Sequence, residues 1–207
     1  MRPADLEYVD ALDRMVKHLN VNRGRYGLIN ISLGPNLAVE DDEVTAWTAT
    51  LDDFFSREDS VVTVAAGNDG RRDSTSGLDR VQPPADGVNM LAVGATDRTT
   101  EDWQRAEYSC VGPGRSPGIV KPDGVLFGGS DLESFGVLLP NLRGEGTQGT
   151  SFAAPYALRS AASIRAQLGN ALGALAIRAL LIHRANAASS PHLEFQLASK
   201  LQALARQ

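Results

Sequence analysis

Leu6, Val9, Leu12, Val16 and Leu19 recur at three- and four-residue spacing, and that periodicity predicts an amphipathic helix over residues 5–19. The period then shortens. The run Gly27-Leu28-Ile29-Asn30-Ile31-Ser32-Leu33-Gly34 is mostly apolar, partly β-branched and bounded by glycines, which predicts a buried strand. Asp41 and Asp42 are placed to cap a second helix whose apolar face is Val44, Trp47, Leu51, Phe54 and Phe55. Two further compact apolar runs, Val61 to Ala66 and Met90 to Ala95, read as strands. This alternation predicts parallel βαβ units with a sheet buried on both faces.

Residues 110–149 are rich in Gly and Pro and read as loops and hairpins, with short strands near 124–127 and 135–139. Beyond them the chain turns helical, over 151–167, 171–185 and 193–207, the last with Leu197, Leu201 and Leu204 on one face. No internal repeat or low-complexity tract interrupts the pattern.

Composition narrows the function classes. The 207 residues are 43% hydrophobic and 22% charged with a net charge of -5, and Lys and Arg are scattered rather than striped. Nucleic acid and anionic membrane are therefore discounted as partners. No apolar run is long enough to span a bilayer, and the first ten residues have no secretory apolar stretch. The single cysteine, Cys110, excludes an internal disulfide framework and leans towards a reducing compartment, while localisation stays open. No acidic cluster has convincing metal-ligand spacing, and no cofactor is expected.

Three segments carry candidate chemistry. Gly149-Thr150-Ser151-Phe152-Ala153-Ala154-Pro155 sets a serine at the start of a helix, where free N–H groups and the helix dipole favour a developing anion. Val64 to Gly70 ends a strand in small residues followed by Asn68, whose carboxamide can donate to an oxyanion. Ile31-Ser32-Leu33-Gly34 ends another strand in residues that leave a backbone edge open to an extended peptide. Taken singly, these are a helix cap, an Asn-Asp-Gly turn and a strand end.

Taken in order they are more specific. Ser-Leu-Gly at 32–34, Ala-Ala-Gly-Asn at 65–68, Val-Gly-Ala at 93–95, Ser-x-x-Gly-Pro at 109–113, Lys-Pro-Asp at 121–123 and Gly-Thr-Ser-x-Ala-Ala-Pro at 149–155 resemble the subtilisin-like serine proteases, or subtilases. The resemblance covers about residues 5–185. It implies a three-layer α/β/α fold with a mostly parallel sheet lacking its N-terminal strands, the whole chain being one partial catalytic domain. It also implies Ser151 as nucleophile, Asn68 as oxyanion donor beside Thr150, and Ser32, Leu33, Gly34, Ala65, Ala66 and Gly67 as walls of the substrate pocket. Phe152, Tyr156 and Phe127-Gly128-Gly129 depart from the family pattern, the last expected to alter a surface turn.

A serine needs a base, and the base an orienting group. In the family both precede the serine, but His18, His183 and His192 stand in none of the family's contexts, and Asp123 reads as a turn residue. The expectation is that both partners lie upstream of this chain. It is then an incomplete peptidase acting on extended peptides and pairing with an upstream segment or with itself. The alternative is an inactive remnant that binds peptides or a partner chain. Gly144 to Gly149 formally matches a dinucleotide-binding glycine pattern but is not followed by the second strand such a unit needs.

Overall fold

A computed structural model describes residues 3–183 of the chain. The first helix, α1, spans Pro3–Val21 and leads to strand β1 (Leu28–Ile31); helix α2 (Ala46–Phe55) and strand β2 (Val61–Ala65) follow. Strands β3 (Leu91–Thr96) and β4 (Gly124–Phe127) complete a four-stranded sheet in the order β1-β2-β3-β4, every pair parallel. A hairpin of β5 (Phe135–Leu138) and β6 (Gly144–Thr147) precedes helices α3 (Thr150–Leu168) and α4 (Ala174–His183). The helix expected over 193–207 lies outside the described residues.

Alternation along the strands decides which helix covers which face. Ile29, Ile31, Val62, Val64 and Ala92 pack with Leu12 and Leu19 of α1 and with Trp47, Leu51, Phe54 and Phe55 of α2. The opposite set, Leu28, Val61, Ala65, Leu91, Val93 and Ala95, packs with Ala153, Ala154, Ala157 and Ala161 of α3 and Ile177 and Leu181 of α4. The alanines let α3 lie close across all four strands. The fold is thus a three-layer α/β/α sandwich around a parallel sheet, and each fully buried large side chain stabilises it by about 1.5–3 kcal/mol.

Several sequence expectations change. Helix α2 is capped by Thr45, whose hydroxyl accepts from the Thr48 N–H, not by Asp41 or Asp42, and Val44 is exposed ahead of it. Asp41 instead pairs with Arg80, 2.9 Å away, and accepts from the Ser116 N–H. Residues 144–147 form β6, opposite β5, a strand too glycine-rich to be read from pattern. Gly128 and Gly129 are buried and make no surface turn. A Cβ on Gly128 would sit 2.6 Å from that of Ala95 and 2.9 Å from the Gly149 carbonyl, so only glycine fits. Asp123 is likewise no free turn residue, since its carboxylate accepts from the Ala92 N–H and from the buried Lys121 ammonium.

Candidate active site at the carboxyl ends of the strands

Parallel α/β sheets open their clefts where the strands end and the following loops diverge. Here the ends of β1 and β2 and the head of α3 enclose a cleft of about 280 Å³. Of the residues expected from sequence, Ser32, Leu33, Gly34, Ala65, Gly67, Asn68, Thr150 and Ser151 all line it. Ala66 does not. It follows Ala65 by one position, so alternation turns it to the other face, where it is fully buried in the core under α1 and α2.

Ser151 is the second residue of α3 and half-buried at its head. The turn before it depends on Gly149, whose φ of +153° L side chains rarely adopt. The Gly149 N–H is held by the Gly128 carbonyl at 2.9 Å and by the Tyr108 hydroxyl at 3.1 Å, and that hydroxyl donates to the Gly129 carbonyl at 2.8 Å. Phe152, immediately after the serine, stacks on Phe135, which stacks on Phe127, at centroid distances of 5.3 and 5.8 Å. The turn that carries Ser151 is therefore clamped to β4 and to the hairpin. The first turn of α3 itself holds no acidic residue to offset the positive end of the helix.

Asn68 is oriented by its neighbour. The Thr150 N–H and hydroxyl both donate to Asn68 Oδ1, at 2.9 and 3.0 Å, and the buried Thr150 hydroxyl accepts from the Gly67 N–H at 3.3 Å. A backbone N–H can only donate, so the atom it meets is the carboxamide oxygen and Nδ2 faces the other way. Among the described residues neither Asn68 Nδ2 nor the Ser151 N–H has a partner. Two donors thus stand free at the head of α3, the arrangement that binds a tetrahedral oxyanion.

Sequence reasoning missed Asn36, Asp69, Gln82 and Pro83, which also line the cleft. Asp69 follows Asn68 directly, whereas residues 82 and 83 arrive on a polar loop without any pattern to mark them. Burial disfavours the Asp69 carboxylate, but hydrogen bonds from Gln82 and Arg72 outweigh it and hold the carboxyl below its ordinary range. Among the described residues the cleft lining includes no histidine. His18 stacks on Tyr26 and lies 3.0 Å from its hydroxyl, His183 is exposed at the end of α4, and His192 lies outside the described residues.

Tyr108 gives the clamp a pH signature. Burial pushes its hydroxyl up to about 12, against the hydrogen bond from Gly149, which lowers it. A folded-state value above the unfolded one leaves stability intact below pH 10 and removes it as pH rises through the window from 10 to 12. At about 1.4 kcal/mol per unit the loss approaches 2–3 kcal/mol. Urea unfolding of wild type and Tyr108→Phe across that window should show this extra decline in wild type alone; equal declines would refute the assignment.

The fold is that of an α/β protein, a parallel sheet between helix layers, with a serine heading a helix beside two free donors at the carboxyl ends of the strands. Comparison with known proteins gives the family: residues 5–198 match the pattern of the subtilase family, peptidase family S8, and the chain belongs to it. It is 32% identical over 206 aligned positions to an uncharacterized protein, y4bN, of Sinorhizobium fredii, covering 75% of this chain and 47% of that one. The chain thus spans about half the length of that relative. Among solved structures it is similar to the S41 psychrophilic protease, with a TM-score of 0.65 at 24% identity over 86% of this chain and 56% of that one. It is also similar to the self-cleaved protease domain of PatA, with a TM-score of 0.61 at 25% identity over 84% of this chain and 59% of that one.

Proposed function

We propose that this chain carries the nucleophile and oxyanion half of a subtilisin-type serine endopeptidase. Membership of a serine peptidase family supports the reaction class. The observation that carries the residue assignment is the double donation from Thr150 to Asn68 Oδ1, which frees Nδ2 beside Ser151. Ser151 Oγ attacks the scissile carbonyl of an extended peptide, and its proton passes to a histidine that an aspartate orients. The carbonyl oxygen takes up negative charge between Asn68 Nδ2 and the Ser151 N–H, and collapse of the tetrahedral intermediate expels the amine, which receives the proton. Ser32, Leu33, Gly34, Ala65 and Gly67 border the peptide.

Histidine and aspartate come, on this reading, from a segment upstream of residue 1. The same segment would cover β1, whose outer edge pairs with no strand among the described residues. That open edge also favours a second reading, an inactive remnant that binds extended peptide or a partner chain by strand addition. Active-site labelling with a fluorophosphonate separates them. Labelling of the chain joined to the upstream segment, absent from the isolated chain and from Ser151→Ala, is the expected result. Labelling of the isolated chain would show that a base is already present, and absence of labelling from every form would establish the remnant.

A further inference from the structure

Proline inside a helix leaves the carbonyl four residues before it without its N–H donor. In α3 the proline is Pro155, so the carbonyl deprived is that of Ser151 itself. A hydroxyl from outside the helix fills the vacancy. Ser32 Oγ, just past the end of β1, lies 3.3 Å from the Ser151 carbonyl oxygen. Behind it, Asn30 Nδ2 donates to Ser32 Oγ at 3.0 Å, so the exposed hydroxyl is an acceptor on that side and is left to donate towards the Ser151 carbonyl. Asn30 is held in turn by Thr63, its register partner on β2, whose hydroxyl lies 3.0 Å from Asn30 Oδ1. Alternation puts Asn30 and Ser32 on one face of the chain, the face towards α3, with Leu28. A polar line thus runs from β2 across β1 to the nucleophile's own peptide.

We infer that Ser32 is a positioning residue for Ser151: its hydroxyl replaces the helix N–H that Pro155 lacks and fixes the peptide that leaves the Ser151 Cα, and with it the torsions of the residue that carries the nucleophile and, on its preceding peptide, one oxyanion donor. Rotation of that turn would move both the Ser151 side chain and the N–H groups at the helix head. Pro155 frees the carbonyl, and the edge strand captures it. The inference rests on Ser151 being the nucleophile, so the test has one arm that depends on that reading and one that does not.

The independent arm is a carbonyl resonance. Ser-Phe occurs twice in the sequence, at 134–135 and 151–152, so carbonyl-¹³C serine with ¹⁵N phenylalanine yields two correlations, one the probe and the other an internal control. Ser134→Ala assigns them. Ser32→Ala should shift the Ser151 carbonyl upfield and leave that of Ser134 in place, Ser32→Thr should restore it, and Pro155→Ala, which returns an N–H at the fourth residue, should restore it in the Ser32→Ala background. The dependent arm is fluorophosphonate labelling of the form carrying the upstream segment. Ser32→Ala should slow it about five-fold, the rate equivalent of one neutral hydrogen bond, and the slowing should vanish when Pro155→Ala is present. An unmoved carbonyl, or an equal slowing with and without Pro155→Ala, overturns the proposal. A shifted carbonyl with unchanged labelling leaves a hydrogen bond with no positioning role and overturns it too. Labelling absent from all forms sinks the nucleophile reading and this role with it, while the carbonyl shift still reports the contact.

Discussion

Asn68→Asp is expected to lower kcat roughly a hundred- to a thousand-fold in the form that carries its histidine, with KM little changed. The figure is that measured for removing the oxyanion asparagine of subtilisin itself, not one derived from this geometry. Aspartate keeps an oxygen where Thr150 donates twice, so the turn is retained. It replaces Nδ2 with a second oxygen, and a donor becomes a charge of the wrong sign. The loss falls on kcat because the interaction exists only once the carbonyl oxygen carries charge. Hydrolysis of a peptide ester, followed with unfolding curves for both proteins, provides the check. A variant of full kcat would remove Asn68 from the oxyanion site, and Ser151 would then rely on the helix N–H groups alone.

The second large effect is on stability. Lys121 is only 2% exposed, and its ammonium donates to the Met90 carbonyl at 2.9 Å and to Asp123 at 2.7 Å. Asp123 also accepts from the Ala92 N–H at 2.7 Å, so one carboxylate satisfies a buried cation and a strand donor where β3 meets β4. Asp123→Ala leaves both without it. Removing one partner of a buried pair costs about 3–5 kcal/mol, because the remaining charge stays desolvated. For a chain of this size the melting temperature should fall on the order of 10 °C. Lys121→Met combined with Asp123→Ala should recover most of the loss, since no bare charge is left. A single variant as stable as wild type would show that the ammonium reaches water by another route.

Much of the scaffold was legible in the sequence because it rests on short-range periodicity. Strands β1 to β4 and helices α1, α3 and α4 were read within a few residues of their ends. Helix α2 was read from Trp47, Leu51, Phe54 and Phe55, while its cap was misplaced because Asp41, Asp42 and Thr45 are all competent N-cap residues and only the path of the chain selects Thr45. Strand β6 was missed because a strand of Gly-Glu-Gly-Thr carries no apolar alternation; pairing with β5 creates it.

The cleft divides in the same way. Ser151 and Asn68 were found as motif positions, each on its own segment. Their relation was not: the Thr150 contacts to Asn68 Oδ1 bridge 82 residues, and Ser32 reaches Ser151 across 119. The sequence by itself determined the alternation of helix and strand, the family-bearing motifs and the small residues that let α3 approach the sheet. Tertiary structure alone decided which amide atom faces the cleft, that Ala66 turns away from it, and which hydroxyl answers the carbonyl that Pro155 leaves free. Local elements follow from side-chain period and backbone dihedrals, whereas the direction of a donor depends on partners brought together only when the sheet and α3 close on each other.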